Sequence, residues 1–294
     1  MRIRATVAAV SGALALSALA VPASHAADSA WSVQAQAAKT AAASGQSVSS
    51  AKSARAADAA AADLGVTFSN LKVAKAIKVG AAGHYSTTVT YTLTHGANYD
   101  LTSDDFANGP YLYKGDFETP DTVLFGYDAA TCNATSTTTA NCSGKIDITP
   151  GEDDLLNVDA GKWSAGALAL QYSTGDVSDQ GALGTTLVQR LSKLTVNAAP
   201  EPVKKGKTIT VTGKLSRANW ETNKYAGYAT QKVVLQFRKK TSSTYTNVKG
   251  ITSSSTGTLK TTTKATVDGY YRFTFAGTTT TPAVSAAGDY VDVK

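Results

Sequence analysis

From residue 192 to its last residue, the chain repeats one pattern, a short run of alternating apolar and polar residues followed by a turn rich in Gly, Asp, Ser or Thr. The clearest runs cover residues 208–215, 232–238 and 270–275. Alternation with a period of two puts every second side chain on the same side of an extended backbone, so each run has one apolar face. Several such strands at short spacing predict a complete antiparallel β-sandwich in residues 192–294.

The preceding segment, residues 64–191, has the same kind of pattern. Apolar residues alternate with threonines over residues 85–93, which predicts a strand with one buried face. Turn dipeptides separate this run from further short runs, and we expect Asn108-Gly109 to form one of these turns. The segment therefore predicts a second β-sandwich, placed before the first.

A local pattern in the last domain indicates which kind of sandwich it is. Asp268-Gly269 predicts a turn, and Tyr271 follows two places before the apolar Phe273. This spacing resembles the tyrosine corner of immunoglobulin-like sandwiches, in which the tyrosine hydroxyl bonds to nearby backbone. We predict an all-β fold with two tandem antiparallel immunoglobulin-like β-sandwiches after a signal peptide and an Ala-rich spacer.

The N-terminus has the composition of a secretory signal peptide. Arg2 and Arg4 precede an apolar run over residues 7–21, and Ser24 and Ala26 are small residues where a signal peptidase reads the chain. We expect residues 1–26 to be removed and the remainder to be exported without a membrane span.

Residues 27–63 are rich in Ala, Ser and Gln and have almost no large apolar side chains. A segment without an apolar face has little surface to bury. We predict that it is a spacer or pro-segment, partly helical or disordered.

Charge divides the chain in the same way as the strand patterns do. Residues 64–191 contain 7 basic and 14 acidic side chains, whereas residues 192–294 contain 16 basic and 5 acidic ones. This reversal favours two independently folded domains, joined near Leu191, with different surface roles. The alternative is that each charge only keeps its own domain soluble.

The chain has two cysteines, Cys132 and Cys142, separated by a run of mostly Thr, Ser and Ala. In an exported chain, an even and closely spaced pair predicts a disulfide. Two thiols at this spacing without a nearby histidine make a poor metal site.

The last domain resembles an immunoglobulin-like module found in exported proteins of Streptomyces and related actinomycetes. The residues that carry the resemblance are 194–203, 206–208, 211–213, 235–238 and 275–278. Residues 147–170 resemble the domain that often precedes this module. The resemblance implies export and a pair of β-sandwiches, and it implies no catalytic residues.

Residues 217–228 form a polar segment that contains three aromatic side chains, Trp220, Tyr225 and Tyr228. An aromatic ring offers a flat apolar face and, in Tyr and Trp, a polar edge, so the segment is a candidate binding loop for a sugar or a protein. The alternative interpretation is that Trp220 and Tyr225 fold back over the core.

The same domain carries a candidate polyanion face. Lys232 and Arg238 are six residues apart in one strand and therefore share a face. A dense set of cations would attract teichoic acids, acidic glycans or nucleic acid, although no specific nucleic-acid motif is present. The alternative is a solvated basic surface. The candidate residues are Lys232, Arg238, Lys239, Lys240, Lys260, Lys264 and Arg272.

Acidic clusters are weak candidates for calcium, which takes several oxygen ligands that converge on one point. The alternative is that they are solvated loop carboxylates. The residues are Asp100, Asp104, Asp105, Glu152, Asp153 and Asp154. His84 and His95 flank one predicted strand, but no motif marks a catalytic residue or a cofactor site.

These patterns predict a non-enzymatic, secreted binding or adhesion protein that is associated with the cell envelope. Its expected partner is an anionic cell-wall polymer, a glycan or a protein. An extracellular calcium-binding protein and a secreted enzyme or enzyme inhibitor are the alternatives.

Overall fold

The computed structural model describes residues 30–44, 62–97, 99–151 and 155–294. The expected signal peptide, residues 1–26, lies outside this range. The described part of the chain contains one α-helix, one 3-10 helix (Asn157–Asp159) and nineteen strands, and nearly all strand pairs are antiparallel. The predicted all-β fold class is confirmed.

The elements follow one another as α1 (Ala30–Ser44), β1 (Thr67–Lys72), β2 (Ala76–Val79), β3 (Tyr85–Thr94), β4 (Phe106–Gly115), β5 (Pro120–Phe125), β6 (Thr131–Ala134), β7 (Thr139–Ile148), β8 (Gly161–Gln171), β9 (Val177–Arg190), β10 (Ser192–Leu194), β11 (Asn197–Ala199), β12 (Thr208–Asn219), β13 (Lys224–Gly227), β14 (Lys232–Lys239), β15 (Thr246–Thr252), β16 (Thr258–Lys264), β17 (Gly269–Phe275), β18 (Val284–Ser285) and β19 (Asp289–Val291).

The strands belong to two compact units. Unit 1 holds the described residues within 1–75, 85–148 and 163–186, and unit 2 holds those within 76–84, 149–162 and 187–294. Unit 2 thus includes three short segments, residues 76–84, 149–162 and 187–191, that the sequence analysis placed in the first domain. Separate folding of residues 192–294 stays a prediction.

Unit 1 is built from two sheets. One sheet has the order β1-β3-β7-β6, and the other has the order β9-β8-β4-β5. The last residues of β9, 187–190, belong to unit 2 and pair in parallel with β2. The sheets meet where Gly144 of β7 lies against Pro110 of β4, since a Cβ added to Gly144 would be 2.5 Å from the Pro110 Cδ. The Tyr91 hydroxyl of β3 donates a hydrogen bond to the Asn108 Oδ1 of β4.

The predicted turn at Asn108-Gly109 is wrong, because both residues lie inside β4. Gly109 is paired with Leu168 in the sheet, and the Trp31 ring of α1 covers it. Glycine at this position lets the Trp31 ring approach the backbone closely, which is a common reason for a glycine inside a strand.

The expectation that residues 27–63 bury little is also wrong for the helix that they contain. Trp31, Ala35, Ala38 and Lys39 of α1 are buried in unit 1. Three of these are small or charged residues, so the usual apolar-face criterion does not detect the buried side of the helix.

Unit 2 forms a second pair of antiparallel sheets. In one sheet β12 lies between β11 and β16, and its second half also pairs with β10 and β13. In the other sheet the order is β15-β14-β17, with β18 and β19 both pairing with β17. One sheet thus contains β10, β11, β12, β13 and β16, and the opposing sheet contains β14, β15, β17, β18 and β19. This division of the strands is the arrangement of an immunoglobulin-like sandwich.

The core of unit 2 lies between these two sheets. Every second residue of β14 and β17, and of β12 as far as Leu215, points into it, as the period-two alternation predicts. Its buried residues are Ala198, Val203, Ile209, Val211, Leu215, Val233, Leu235, Leu259, Ala265, Tyr271, Phe273, Phe275 and Val291.

The tyrosine-corner hydrogen bond is not formed as predicted. Tyr271 is buried with its ring 4.7 Å from that of Phe237, and its hydroxyl donates to no partner within the described residues. The corner is instead held through Asp268, whose carboxylate accepts the Tyr290 hydroxyl at 3.1 Å and the Val293 N–H at 2.9 Å.

The predicted disulfide is confirmed. Cys132 of β6 and Cys142 of β7 are directly opposite each other in register and are bonded. The bridge joins the two strands of a hairpin whose turn is rich in Thr and Ser, so it fixes the edge of one sheet of unit 1.

Candidate functional site

The strongest candidate site lies on the outer face of one sheet of unit 2. In β14 the side chains of Val233 and Leu235 point into the core, so Gln236 and Arg238 point outward. In β17 the outward residues are Tyr270 and Arg272. The register places Arg238 opposite Tyr270 and Gln236 opposite Arg272.

Cations and aromatic rings alternate along this face. The Arg272 guanidinium carbon lies 3.8 Å from the centre of the Tyr245 ring. The Arg238 guanidinium carbon lies 3.9 Å from the centre of the Tyr270 ring and 5.4 Å from that of Tyr245. Guanidinium groups are held over aromatic faces by the negative electrostatic potential that the ring quadrupole creates there.

The row continues toward the end of the sheet. The Tyr270 and Tyr290 rings have centroids 5.2 Å apart, and the Lys240 Nζ lies 5.2 Å from the Tyr290 ring centre. The Lys240 Nζ also lies 3.3 Å from the Tyr290 hydroxyl, a hydrogen bond that raises the pKa of Lys240. We call this row the cation–aromatic strip; its members are Arg272, Tyr245, Arg238, Tyr270, Tyr290 and Lys240.

The arginines of the strip are positioned but not neutralised. Arg272 donates from Nε to the Gln236 Oε1 at 2.9 Å, and Arg238 donates from Nη1 to the Ser242 carbonyl at 2.9 Å. No carboxylate in the described residues forms an ion pair with either guanidinium. Each guanidinium keeps N–H donors for a planar anion such as a carboxylate or a phosphate.

A lysine-lined cleft of about 400 Å³ lies at the Lys240 end of the strip. Its one acidic side chain is Asp268, which accepts hydrogen bonds from the Val293 N–H and the Tyr290 hydroxyl. These two bonds, the first more than the second, hold the pKa of Asp268 below its usual value. The cleft is lined by Lys205, Lys239, Lys240, Thr241, Thr266, Val267, Asp268, Val293 and Lys294.

The seven predicted polyanion residues do not form one face. Arg238, Lys240 and Arg272 belong to the strip, and Lys239 lines the adjoining cleft. Lys232 begins β14, at the end of that strand away from Lys240. Lys260 and Lys264 are on β16, which belongs to the opposite sheet of the sandwich.

Trp220 is not available to a ligand, contrary to the binding-loop hypothesis. It is 0% exposed, and its Nε1 donates to the Gly80 carbonyl at 2.9 Å. The Asn157 Oδ1 accepts its backbone N–H at 3.0 Å. The alternative interpretation, in which Trp220 folds back onto the protein, describes this residue.

The other two aromatic residues of the segment are separated from Trp220 and occupied by cations. The Lys193 Nζ lies 3.8 Å from the centre of the Tyr225 ring, and the Arg217 guanidinium lies 3.9 Å from that of Tyr228. Arg217 also affects a neighbouring guanidinium, that of Arg190: burial first, and then the charge of Arg217, lower the pKa of Arg190 to about 10.

Two of the acidic candidates, Asp100 and Asp105, already accept hydrogen bonds from other residues. The Asp100 Oδ1 accepts the N–H and hydroxyl of Thr102, and Asp105 accepts hydrogen bonds from Ser173 and Gln171. These bonds lower the pKa of both carboxyl groups. The described residues contain no group of three or more His, Cys, Asp or Glu side chains that could hold a metal.

Glu152, Asp153 and Asp154 lie outside the described residues, and Asp104 precedes Asp105 in the same loop. Calcium binding by the six acidic residues therefore stays a prediction.

Sequence reasoning missed the three tyrosines of the strip, Tyr245, Tyr270 and Tyr290. One signal was available, since Tyr270 and Arg272 alternate with core residues in one strand and therefore share its outer face. Tyr245 and Tyr290 are brought to the strip only by the strand order.

Comparisons with known proteins support no assignment to a family. No protein-family model matches the chain, and no curated protein matches its sequence. No helix in the described part of the chain is long and apolar enough to cross a membrane.

Some solved structures are similar at low identity. Fibronectin(III)-like modules of Clostridium thermocellum CbhA are 13% identical with a TM-score of 0.27, and the match covers 76% of this chain and 92% of that one. The D0-D1 domain of Intimin is 15% identical with a TM-score of 0.25, covering 76% and 98%. Dimeric latent PorU from Porphyromonas gingivalis is 12% identical with a TM-score of 0.25; the match covers 78% of this chain and only 20% of PorU. Similarity this weak carries no functional argument, and the strand order within the protein defines its fold.

Proposed function

We propose that the protein is a non-enzymatic, exported binding protein of the cell envelope, and that unit 2 binds an anionic glycan or cell-wall polymer. The observation that carries this proposal is the cation–aromatic strip. Its arginines lack carboxylate partners among the described residues, although each is held in a fixed position by neighbouring groups.

The chemistry of the strip fits a chain-like anion better than a small one. Successive cations lie on adjacent strands and lead toward the lysine-lined cleft, so a ligand with repeated negative charges can meet several of them. The tyrosine rings between them offer apolar surface to the C–H faces of sugars. Attraction of this kind is largely Coulombic and weakens as salt rises, because the Debye length is about 8 Å at physiological ionic strength.

Export is supported by the sequence of residues 1–26 and by the disulfide, since disulfides persist in oxidising compartments. The resemblance of residues 193–294 to actinomycete exported modules points in the same direction. Export and envelope association remain part of the proposal.

Retention of the whole mature chain on immobilised polymers tests the proposal. We expect retention on a polyuronate or a polyglycerol phosphate and flow-through on neutral dextran. The first two columns distinguish a carboxylate ligand from a phosphate ligand.

Two matched double variants separate the strip from general basic charge. Arg238→Gln with Arg272→Gln removes two charges from the strip, and Lys260→Gln with Lys264→Gln removes two charges from the opposite sheet. We expect the first pair to weaken binding about tenfold or more, because a hydrogen bond to a charged group contributes about 1.5–3 kcal/mol. The second pair should change it less than about threefold, since unbound exposed charges act only through the screened field.

Equal losses in the two double variants would show that net charge and not the strip carries the affinity. Flow-through of the unmodified chain on both anionic columns at low salt would remove the proposed function altogether.

A further inference from the structure

Helix α1 lies in a groove of unit 1 and buries one side. Trp31, Ala35, Ala38 and Lys39 are at relative positions 0, 4, 7 and 8, which is the spacing of one helix face. All four are at most 4% exposed, whereas Val33 on another side of the helix is 51% exposed.

One end of the groove is shaped to receive a flat ring. A Cβ on Gly109 would lie 2.6 Å from the Trp31 Cζ2, so only glycine leaves room for the indole there. The Phe125 ring meets the indole edge to face, with centroids 6.4 Å apart. The Trp31 Nε1 is buried without a hydrogen-bond partner among the described residues.

The other end of the groove is an ammonium pocket. The Lys39 Nζ lies 2.8 Å from the Asp179 Oδ2, 2.9 Å from the Phe117 carbonyl and 3.5 Å from the Phe117 ring centre. The Tyr111 hydroxyl donates to the other oxygen of Asp179 at 2.6 Å. The side chains of Lys39 and Asp179 are only 4% and 8% exposed.

The position of α1 depends on its contacts with the groove, because the helix alone is only weakly stable. A 15-residue helix is marginal in water by itself, even when it is rich in alanine. The desolvation of a buried ion pair offsets much of its attraction, and the unpaired indole N–H adds a cost. The docked position of α1 is therefore one that a competing segment can take.

We propose that the groove under α1 is a binding site for a lysine-bearing helical segment of a partner protein, and that α1 is its intramolecular occupant. The ligand chemistry follows from the two ends of the groove. It requires an aromatic residue over Gly109, small residues four and seven places later, and a lysine eight places later. The site belongs to unit 1 and is independent of the function proposed for unit 2.

A labelled peptide with the sequence of residues 30–44 tests the proposal against the full chain. In one chain variant, Trp31→Ala and Lys39→Ala empty both ends of the groove. We expect 1:1 binding to this variant, about tenfold or more tighter than to the unmodified chain, where α1 competes at an effective concentration in the millimolar range.

The ammonium pocket is tested by a second peptide with Lys39→Met. It should bind the emptied chain at least about tenfold more weakly, because it lacks a hydrogen bond to a charged group. Adding Asp179→Asn to the emptied chain should abolish this difference between the two peptides. Peptides that bind equally well with and without the lysine would overturn the assignment.

A measurement on the unmodified chain keeps the test independent of variant folding. Hydrogen exchange of α1 should accelerate when a peptide that carries Val33→Leu is added in excess; the change is at an exposed position and gives its fragments a distinct mass. Unchanged exchange of α1 at saturating peptide, or equal peptide affinity for the emptied and unmodified chains, contradicts the proposal.

Discussion

Replacing Trp220 gives the sharpest test of how unit 2 is assembled. The indole is fully buried, and its N–H is the hydrogen-bond donor to the Gly80 carbonyl in a segment 140 residues earlier in the chain. Trp220→Phe keeps an aromatic ring and removes the donor. Trp220→Ala removes the donor and most of the buried surface.

The two variants should differ in size of effect. Leaving the Gly80 carbonyl without its donor costs about 1–3 kcal/mol, which is the expected loss for Trp220→Phe. Trp220→Ala also leaves a cavity and should lose about 3–5 kcal/mol. Val248→Ala is a matched control on β15, where the side chain is 42% exposed, and it should stay within about 0.5 kcal/mol of the unmodified chain.

Urea unfolding followed by far-ultraviolet circular dichroism measures these losses, because its signal comes mainly from the backbone. Hydrogen exchange of β12 then shows whether the loss is local to unit 2. A Trp220→Ala chain within 1 kcal/mol of the unmodified one would refute the burial argument. A Trp220→Phe chain of normal stability that loses glycan binding would return this residue to the candidate binding loop.

Two further predictions concern cross-links and the corner of unit 2. Converting Cys132 and Cys142 to Ala should lower stability by about 3 kcal/mol in the chain-entropy description of so short a loop, and intact mass with and without reductant followed by thiol alkylation checks the bond itself. Tyr271→Phe should change stability by less than about 0.5 kcal/mol, since its hydroxyl donates to no described residue. Tyr290→Phe should lower stability by about 1 kcal/mol, because it loses the hydrogen bond to Asp268. Thermal melts of both variants measure the two effects, and a larger loss for Tyr271→Phe than for Tyr290→Phe would restore the tyrosine corner at Tyr271.

The proposed strip and groove show how differently the two kinds of site can be found. Arg238 and Arg272 were visible in the sequence because basic residues in alternating strands are easy to recognise. The groove was invisible, because its occupant is an Ala-rich helix whose buried side contains a lysine, and such a face has no apolar periodicity. The Lys39 and Asp179 pair joins residues 140 positions apart.

The sequence by itself determined much of the local structure: the strands that contain residues 85–93, 208–215, 232–238 and 270–275, which faces of β12, β14 and β17 enter the core, and that the two cysteines pair. These properties follow from the period-two geometry of an extended backbone and from short spacing along the chain. Only the tertiary structure decided which strands are neighbours. That order separated Lys260 and Lys264 from Arg238, brought Tyr245 and Tyr290 to the strip and buried Trp220 against Gly80. Strand order depends on how whole sheets bury their apolar faces together, and no local pattern in the chain records it.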